Sequence, residues 1–186
     1  MNRTKNSFPA LIQREDSLLV VIDVQNKLAP LIHDTPQIVA NIVKLVRLAR
    51  VVEVPVLMSE QENLGETVEE IRLELAETPP LRKLSFSCFG EEAFTRRLKA
   101  HDRRTLILTG MEAHICVAQT ALKASLDYRI VVIADAAASR SPNDRDMAFA
   151  RLRENGVTIV STEMLMYEWL ERAGTDTFRA ALPLLK

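Results

Sequence analysis

Three residues of this 186-residue chain have the types and settings for acyl-transfer chemistry. Asp23 ends the apolar run Leu18-Leu19-Val20-Val21-Ile22. Lys83 lies in Arg82-Lys83-Leu84-Ser85-Phe86-Ser87-Cys88-Phe89, which mixes a cation with aromatic and small polar residues. Cys116 opens a helical pattern after Gly110-Met111-Glu112-Ala113-His114-Ile115. A thiol nucleophile needs a base for its proton, and a carboxylate within hydrogen-bond reach can serve. A nearby ammonium stabilises thiolate and developing oxyanion, and a helix N-terminus adds partial positive charge that lowers a thiol's pKa. Each residue also has a plainer reading: Asp23 as a cap, Lys83 as a solvated lysine, Cys116 as a buried structural cysteine. Cys88 has no partner motif and reads as a small core residue.

Elements must bring these residues together. Leu18–Ile22 suits a strand buried on both faces. Pro36–Val52 carries apolar residues at helical spacing behind Thr35-Pro36, a cap and first-turn pair. Further strands are expected at Val54–Met58, Arg82–Ser85, Thr105–Thr109, Ile130–Ala134 and Val157–Val160. Helices are expected at Thr67–Ala76, Glu91–Ala100, Cys116–Leu126, Asn143–Asn155 and Glu163–Ala173, with a short one in Thr175–Leu184. Six β-α repeats imply a three-layer α/β/α, Rossmann-like fold with a six-stranded, mostly parallel sheet. In strand order 3-2-1-4-5-6, strands one and four flank the switch point where ligands bind. Asp23 and Cys116, 93 positions apart, then share one cleft. The expected organisation is one domain over 1–186, with a core of about 17–166 and a helical tail over 167–186.

Composition narrows the function classes. Lys and Arg total 24 against 25 Asp and Glu, a formal charge of −1, which argues against a nucleic-acid or polybasic membrane-surface partner. Two cysteines are too few for a disulfide scaffold. Met1 to Ala10 has no apolar leader pattern, and the run Leu18–Ile22 is too short to span a bilayer, so a cytoplasmic protein is expected. His33, His101 and His114 are scattered without ligand spacing, so no metal is expected. Asp23-Val24-Gln25-Asn26-Lys27 has no glycine to admit a pyrophosphate, so no dinucleotide cofactor is expected either.

Leu19 to Gln25, Lys83 with Phe86-Ser87, and Gly110 to Val117 with Thr120-Ala121 together resemble the three signatures of the isochorismatase-like cysteine hydrolases, over roughly Ser17 to Met166. The resemblance implies a catalytic triad of Asp23, Lys83 and Cys116 and assembly into dimers or larger homo-oligomers. It implies a cis peptide between Met111 and Glu112, with the backbone N–H groups of Glu112 and Cys116 as the oxyanion hole. Met58 to Gly65 lacks the histidines of the nicotinamidase metal site, while Cys116 points away from vinyl-ether cleavage. The opening Asp23 to Leu28 places the chain nearest a metal-free subgroup with an Asp-Val-Gln-x-Lys-Leu opening and unsettled substrates. The expected activity is hydrolysis of a small amide or related acyl compound through a thioester. Gln25, Phe86, Phe89 and His114 are candidate pocket residues, and Gln61 a weaker polar contact. Core packing for the phenylalanines and a helix-start role for His114 are the alternatives. A non-catalytic small-molecule-binding or interaction protein that retains the fold is the competing function.

Overall fold

A computed structural model describes residues 9–185. Met1 to Phe8, most of the segment read above as lacking a leader, lie outside the described residues, as does Lys186. Six strands form one sheet in the order β3-β2-β1-β4-β5-β6, every neighbouring pair parallel. They are β1 (Ser17–Ile22), β2 (Val56–Gln61), β3 (Leu81–Lys83), β4 (Thr105–Met111), β5 (Arg129–Ala138) and β6 (Thr158–Val160). The helices are α1 (Thr35–Val51), α2 (Glu69–Glu74), α3 (Glu92–Lys99), α4 (Ala118–Ala124), α5 (Pro142–Glu154), α6 (Thr162–Leu170) and α7 (Asp176–Ala181). Among the described residues no helix is long and apolar enough to cross a membrane.

Side chains on a strand alternate between faces, and β1 splits accordingly. Leu19 and Val21 join a core with Ile42, Leu45 and Leu48 of α1, Trp169 of α6 and Ala181 of α7. Leu18, Val20 and Ile22 join a second core with Phe94 and Leu98 of α3, Ala121 of α4 and Leu152 of α5. Every residue of β1 and β4 is buried, which is why these strands read as continuous apolar runs. Trp169 is fully buried, and its indole N–H donates to Ser17 Oγ at 3.2 Å.

Element ends differ from the sequence reading where tertiary contacts override local pattern. β5 runs on to Ala138, past the expected Ala134. Its register against β4 jumps between Leu108↔Val132 and Gly110↔Ala137, a bulge that absorbs the extra residues. β2 starts later and extends to Gln61, pairing with Lys83 of β3. The helix expected from Cys116 begins earlier, as a π-helical turn over Ala113–Val117 that leads into α4.

Gly110 is the tight point of the sheet. Its φ is +113°, and a Cβ there would lie 2.0 Å from the Ile22 carbonyl oxygen, one residue before Asp23. Glycine therefore lets the end of β4 press against the end of β1.

Candidate active site

The carboxyl ends of β1, β3 and β4 place Asp23, Lys83 and Cys116 together. Asp23 leaves β1 with φ +53°, the left-handed region that aspartate tolerates better than most side chains. Its N–H holds the Ser59 carbonyl of β2 at 3.2 Å. The Ser59 hydroxyl donates to Asp23 Oδ1 at 2.8 Å. Lys83 Nζ is 2.6 Å from Asp23 Oδ2, with both side chains almost wholly buried. Oδ2 has this charge contact yet no aligned hydrogen bond, so an acceptor lone pair stays open. Lys83 Nζ also lies 3.5 Å from Cys116 Sγ.

Lys83 is held from several sides. Its ammonium donates to Gln61 Oε1 at 2.7 Å and to the carbonyls of Ser85 and Phe86 at 3.2 Å. Burial alone would lower its pKa, but the adjacent Asp23 carboxylate outweighs burial and the pKa is raised. The Lys83 ammonium is thus favoured by a buried carboxylate neighbour.

The thiol departs from the expectation of a lowered pKa. Burial first, then the negative charge of Asp23, push Cys116 up to about 12, against the opposing pull of Lys83. The helix end and the lysine favour the thiolate, but desolvation and the charge of Asp23 outweigh them. Asp23 cancels the charge of Lys83, so the resting sulfur keeps its proton and needs a base.

Cys88 sits behind this centre. It is fully buried, its Sγ is 3.6 Å from Ser59 Oγ, and its N–H donates to Thr120 Oγ1 at 3.0 Å. Burial raises its thiol to about 11.

The other predicted residues separate. Glu112 follows a Met111–Glu112 bond that is cis. Its carboxylate is buried and ion-paired with Arg140. Gln25 is fully buried: its amide nitrogen donates to the carbonyls of Gln61 and Gly65, and its oxygen accepts from the Gln61 N–H. That side chain fastens β2 to the β1 end. Phe86 is 54 % exposed. Phe89 is packed against Phe94 and Tyr128, with centroids 5.6 and 5.9 Å away. His114 is half-buried, with Nδ1 2.9 Å from Ser139 Oγ. Gln61 holds Lys83 and also walls a polar cleft of about 400 Å³ with Lys27, Glu60, Glu62 and Arg82.

Sequence reasoning missed Ser59, Ser139 and Arg140, and gave Gln61 a substrate contact instead of a grip on Lys83. Ser59 and Gln61 stand at the end of β2. The rule that ligands gather at the carboxyl ends of strands applies there as it does at β1 and β4.

A six-stranded parallel sheet in this order with helices on both faces defines the class of isochorismatase-like α/β hydrolase folds. The isochorismatase domain matches residues 17–164, and the chain belongs to that family. Isochorismatase domain-containing protein 2 of Danio rerio is 33% identical over 179 residues, 94% of this chain and 89% of that protein. A solved structure described as MAR1 ribonuclease from Caenorhabditis elegans superposes with a TM-score of 0.88 at 30% identity, covering 95% of this chain and 92% of that one. The YcaC gene product of Escherichia coli, described as an octameric hydrolase of unknown specificity, superposes with a TM-score of 0.88 at 21% identity, covering 97% and 91%.

Proposed function

We propose that the protein is a cysteine hydrolase that cleaves a small amide or related acyl compound through a thioester on Cys116. The observation that carries this reading is the position of Lys83 Nζ, 2.6 Å from Asp23 Oδ2 and 3.5 Å from Cys116 Sγ in a buried setting. Asp23 takes the thiol proton, and the sulfur attacks the acyl carbon. Backbone N–H groups of Glu112 and Cys116 receive the oxyanion, each such donor contributing about 3 kcal/mol. The tetrahedral intermediate collapses as Asp23 returns the proton to the leaving amine, which breaks the C–N bond. Water then attacks the thioester with Asp23 again as base, releasing the acid and restoring the thiol. Lys83 pairs with the Asp23 carboxylate and stabilises sulfur whenever it is anionic.

Phe86 and His114 are the proposed pocket walls: the Phe86 carbonyl accepts from Lys83, His114 lies two residues before Cys116, and neither side chain is committed to a core. The same reading includes a homo-oligomer, supported by the exposed apolar side chains of Leu31, Leu84 and Phe86. It assigns a cytoplasmic location and needs no cofactor or metal for the acyl transfer.

The test is a screen of small amides and esters with wild-type, Cys116→Ala and Asp23→Asn protein, with intact-mass detection of an acyl adduct. The expected result is turnover in the wild type, loss of turnover in both variants, and no adduct in Cys116→Ala. Turnover that persists in Cys116→Ala, or native alkylation that favours Cys88 over Cys116, overturns the assignment.

A further inference from the structure

We propose that Gln61 is a positioning residue of this site: it holds the Lys83 ammonium so that Asp23 Oδ2 stays open as the base and Cys116 Sγ keeps a cation beside it. The inference rests on the cysteine-hydrolase reading and adds to it a residue that acts through Lys83.

The fold delivers Gln61 to the lysine with little freedom. β1 and β2 pair only as far as Ile22↔Ser59, and the chain turns out of the ladder at Asp23, where φ is +53°. The Gln25 amide continues the ladder in place of backbone. Its Oε1 accepts from the Gln61 N–H at 2.9 Å, and its Nε2 donates to the Gln61 carbonyl at 3.0 Å. On the other edge Gln61 is in register with Lys83 of β3, and the Glu62 N–H donates to the Lys83 carbonyl at 2.9 Å. The Gln61 backbone is therefore gripped from both sides. Its side-chain amide is oriented as well. Nε2 donates to the Leu84 carbonyl at 2.8 Å, which leaves Oε1 for the ammonium. Turned by half, the amide would set N–H groups against a cation.

An ammonium has three N–H groups and no acceptor. Four acceptors stand in line with those of Lys83: Gln61 Oε1 at 2.7 Å, the Ser85 and Phe86 carbonyls at 3.2 Å, and Cys116 Sγ at 3.5 Å. Gln61 is the shortest of them, and it sits on a strand, whereas Ser85 and Phe86 lie past the end of β3. Asp23 Oδ2 is nearer still, 2.6 Å from Nζ, yet it receives no aligned hydrogen bond. It meets the ammonium as a charge, and its lone pair is left for the thiol proton. Without Gln61 Oε1, the N–H spent there turns to the nearest acceptor, which is Oδ2. That turn fills the lone pair of the base and draws the ammonium away from sulfur. Burial and Asp23 push the Cys116 thiol up, while the charge and hydrogen bond of Lys83 pull it back, so a displaced Lys83 lets it rise further.

The experiment measures the rate of Cys116 alkylation by iodoacetamide at one mildly alkaline pH, by intact mass and peptide mapping, beside urea unfolding of each variant. Gln61→Leu has similar bulk and no acceptor, and Gln61→Asn keeps the amide but loses the reach. A rise of about one pH unit in the thiol cuts the thiolate about tenfold, and the greater nucleophilicity of a more basic sulfur offsets part of this, so the rate is expected to fall about threefold in both. Asp23→Asn/Lys83→Met removes both buried charges together, and adding Gln61→Leu to that background is expected to change nothing, because the effect runs through the ammonium. An amide that serves only the fold would lower the urea midpoint and leave alkylation in place. A rate within about 1.5-fold of wild type in the folded Gln61 variants, or an equal fall in the background without Lys83, overturns the positioning role and leaves the nucleophile standing. Failure of iodoacetamide to label Cys116 in the wild type overturns the hydrolase reading and the positioning role together.

Discussion

Replacing Asp23 with Asn drives sulfur reactivity and turnover in opposite directions. Contacts of 2.6 and 3.5 Å from Lys83 Nζ place Cys116 Sγ within about 6 Å of Asp23 Oδ2. At that separation and an effective dielectric of about 20, one unit charge raises the cost of a thiolate by about 3 kcal/mol, or about two pH units. Asp23→Asn removes this charge, which pushes the thiol up. Lys83 then has the sulfur as its nearest anion, and the thiol pKa falls. The assay is the pH profile of Cys116 alkylation by iodoacetamide, with a midpoint expected about two units below wild type. Near neutral pH the thiolate fraction rises, while intrinsic nucleophilicity falls with pKa, so alkylation gains about tenfold net. Amide turnover needs a base and an acid, and drops by about 10² to 10⁴. A midpoint that stays in place or rises would show that Asp23 is not the charge that keeps the thiol protonated.

Other perturbations probe the supports. Gly110→Ala forces a Cβ against the Ile22 carbonyl at positive φ, and a loss of about 3–5 kcal/mol is expected in urea unfolding; under about 1 kcal/mol would contradict the tight-packing account. Ser59→Ala strips the hydroxyl from Asp23 Oδ1 and from Cys88, costing about 1–3 kcal/mol. It also shifts the Cys116 alkylation profile, whereas a purely structural serine would leave that profile unmoved. The thiol of Cys88 ordinarily ionises near 9, but burial holds it protonated in the fold to about 11. Its contribution is therefore complete below pH 9 and is lost as pH rises toward 11. Cys88→Ala should flatten that alkaline decline in urea midpoints, and an unchanged slope would count against it. Trp169→Ala empties a fully buried site and is expected to cost about 3–5 kcal/mol by thermal or urea unfolding, without changing the iodoacetamide midpoint of Cys116.

The chain announced its architecture through β1 and α1. The run Leu18–Ile22 is apolar on both faces because both faces are covered, and α1 shows its buried stripe at helical spacing. The β-α alternation implied a parallel sheet, the order 3-2-1-4-5-6 would bring Asp23 and Cys116 into one cleft, and the family resemblance added Lys83 to them. Three things were hidden for physical reasons. The π-helical turn at Ala113 uses residues that local spacing cannot tell from an α-helix. The length of β5 depends on a bulge set by β4, which Asp135 and its flanking alanines do not advertise. The protonated state of Cys116 depends on desolvation and on a carboxylate from a distant strand, neither of which is a local property. Gln25 illustrates the converse: a polar residue at the sheet mouth suggested a ligand contact, and its amide is spent on loop backbone.

Cys116 draws its two companions, Asp23 and Lys83, from β1 and β3 on one side of the sheet's middle, while it follows β4 on the other. Long stretches of chain must close before β3, β2, β1 and β4 lie side by side, and such closures come late in folding. A collapsed species with its helices formed but its ladder unfinished would hold an ordinary thiol. During refolding, a brief pulse of electrophile should thus mark molecules that have not yet registered their central strands, which makes Cys116 a built-in timer for the last step of assembly.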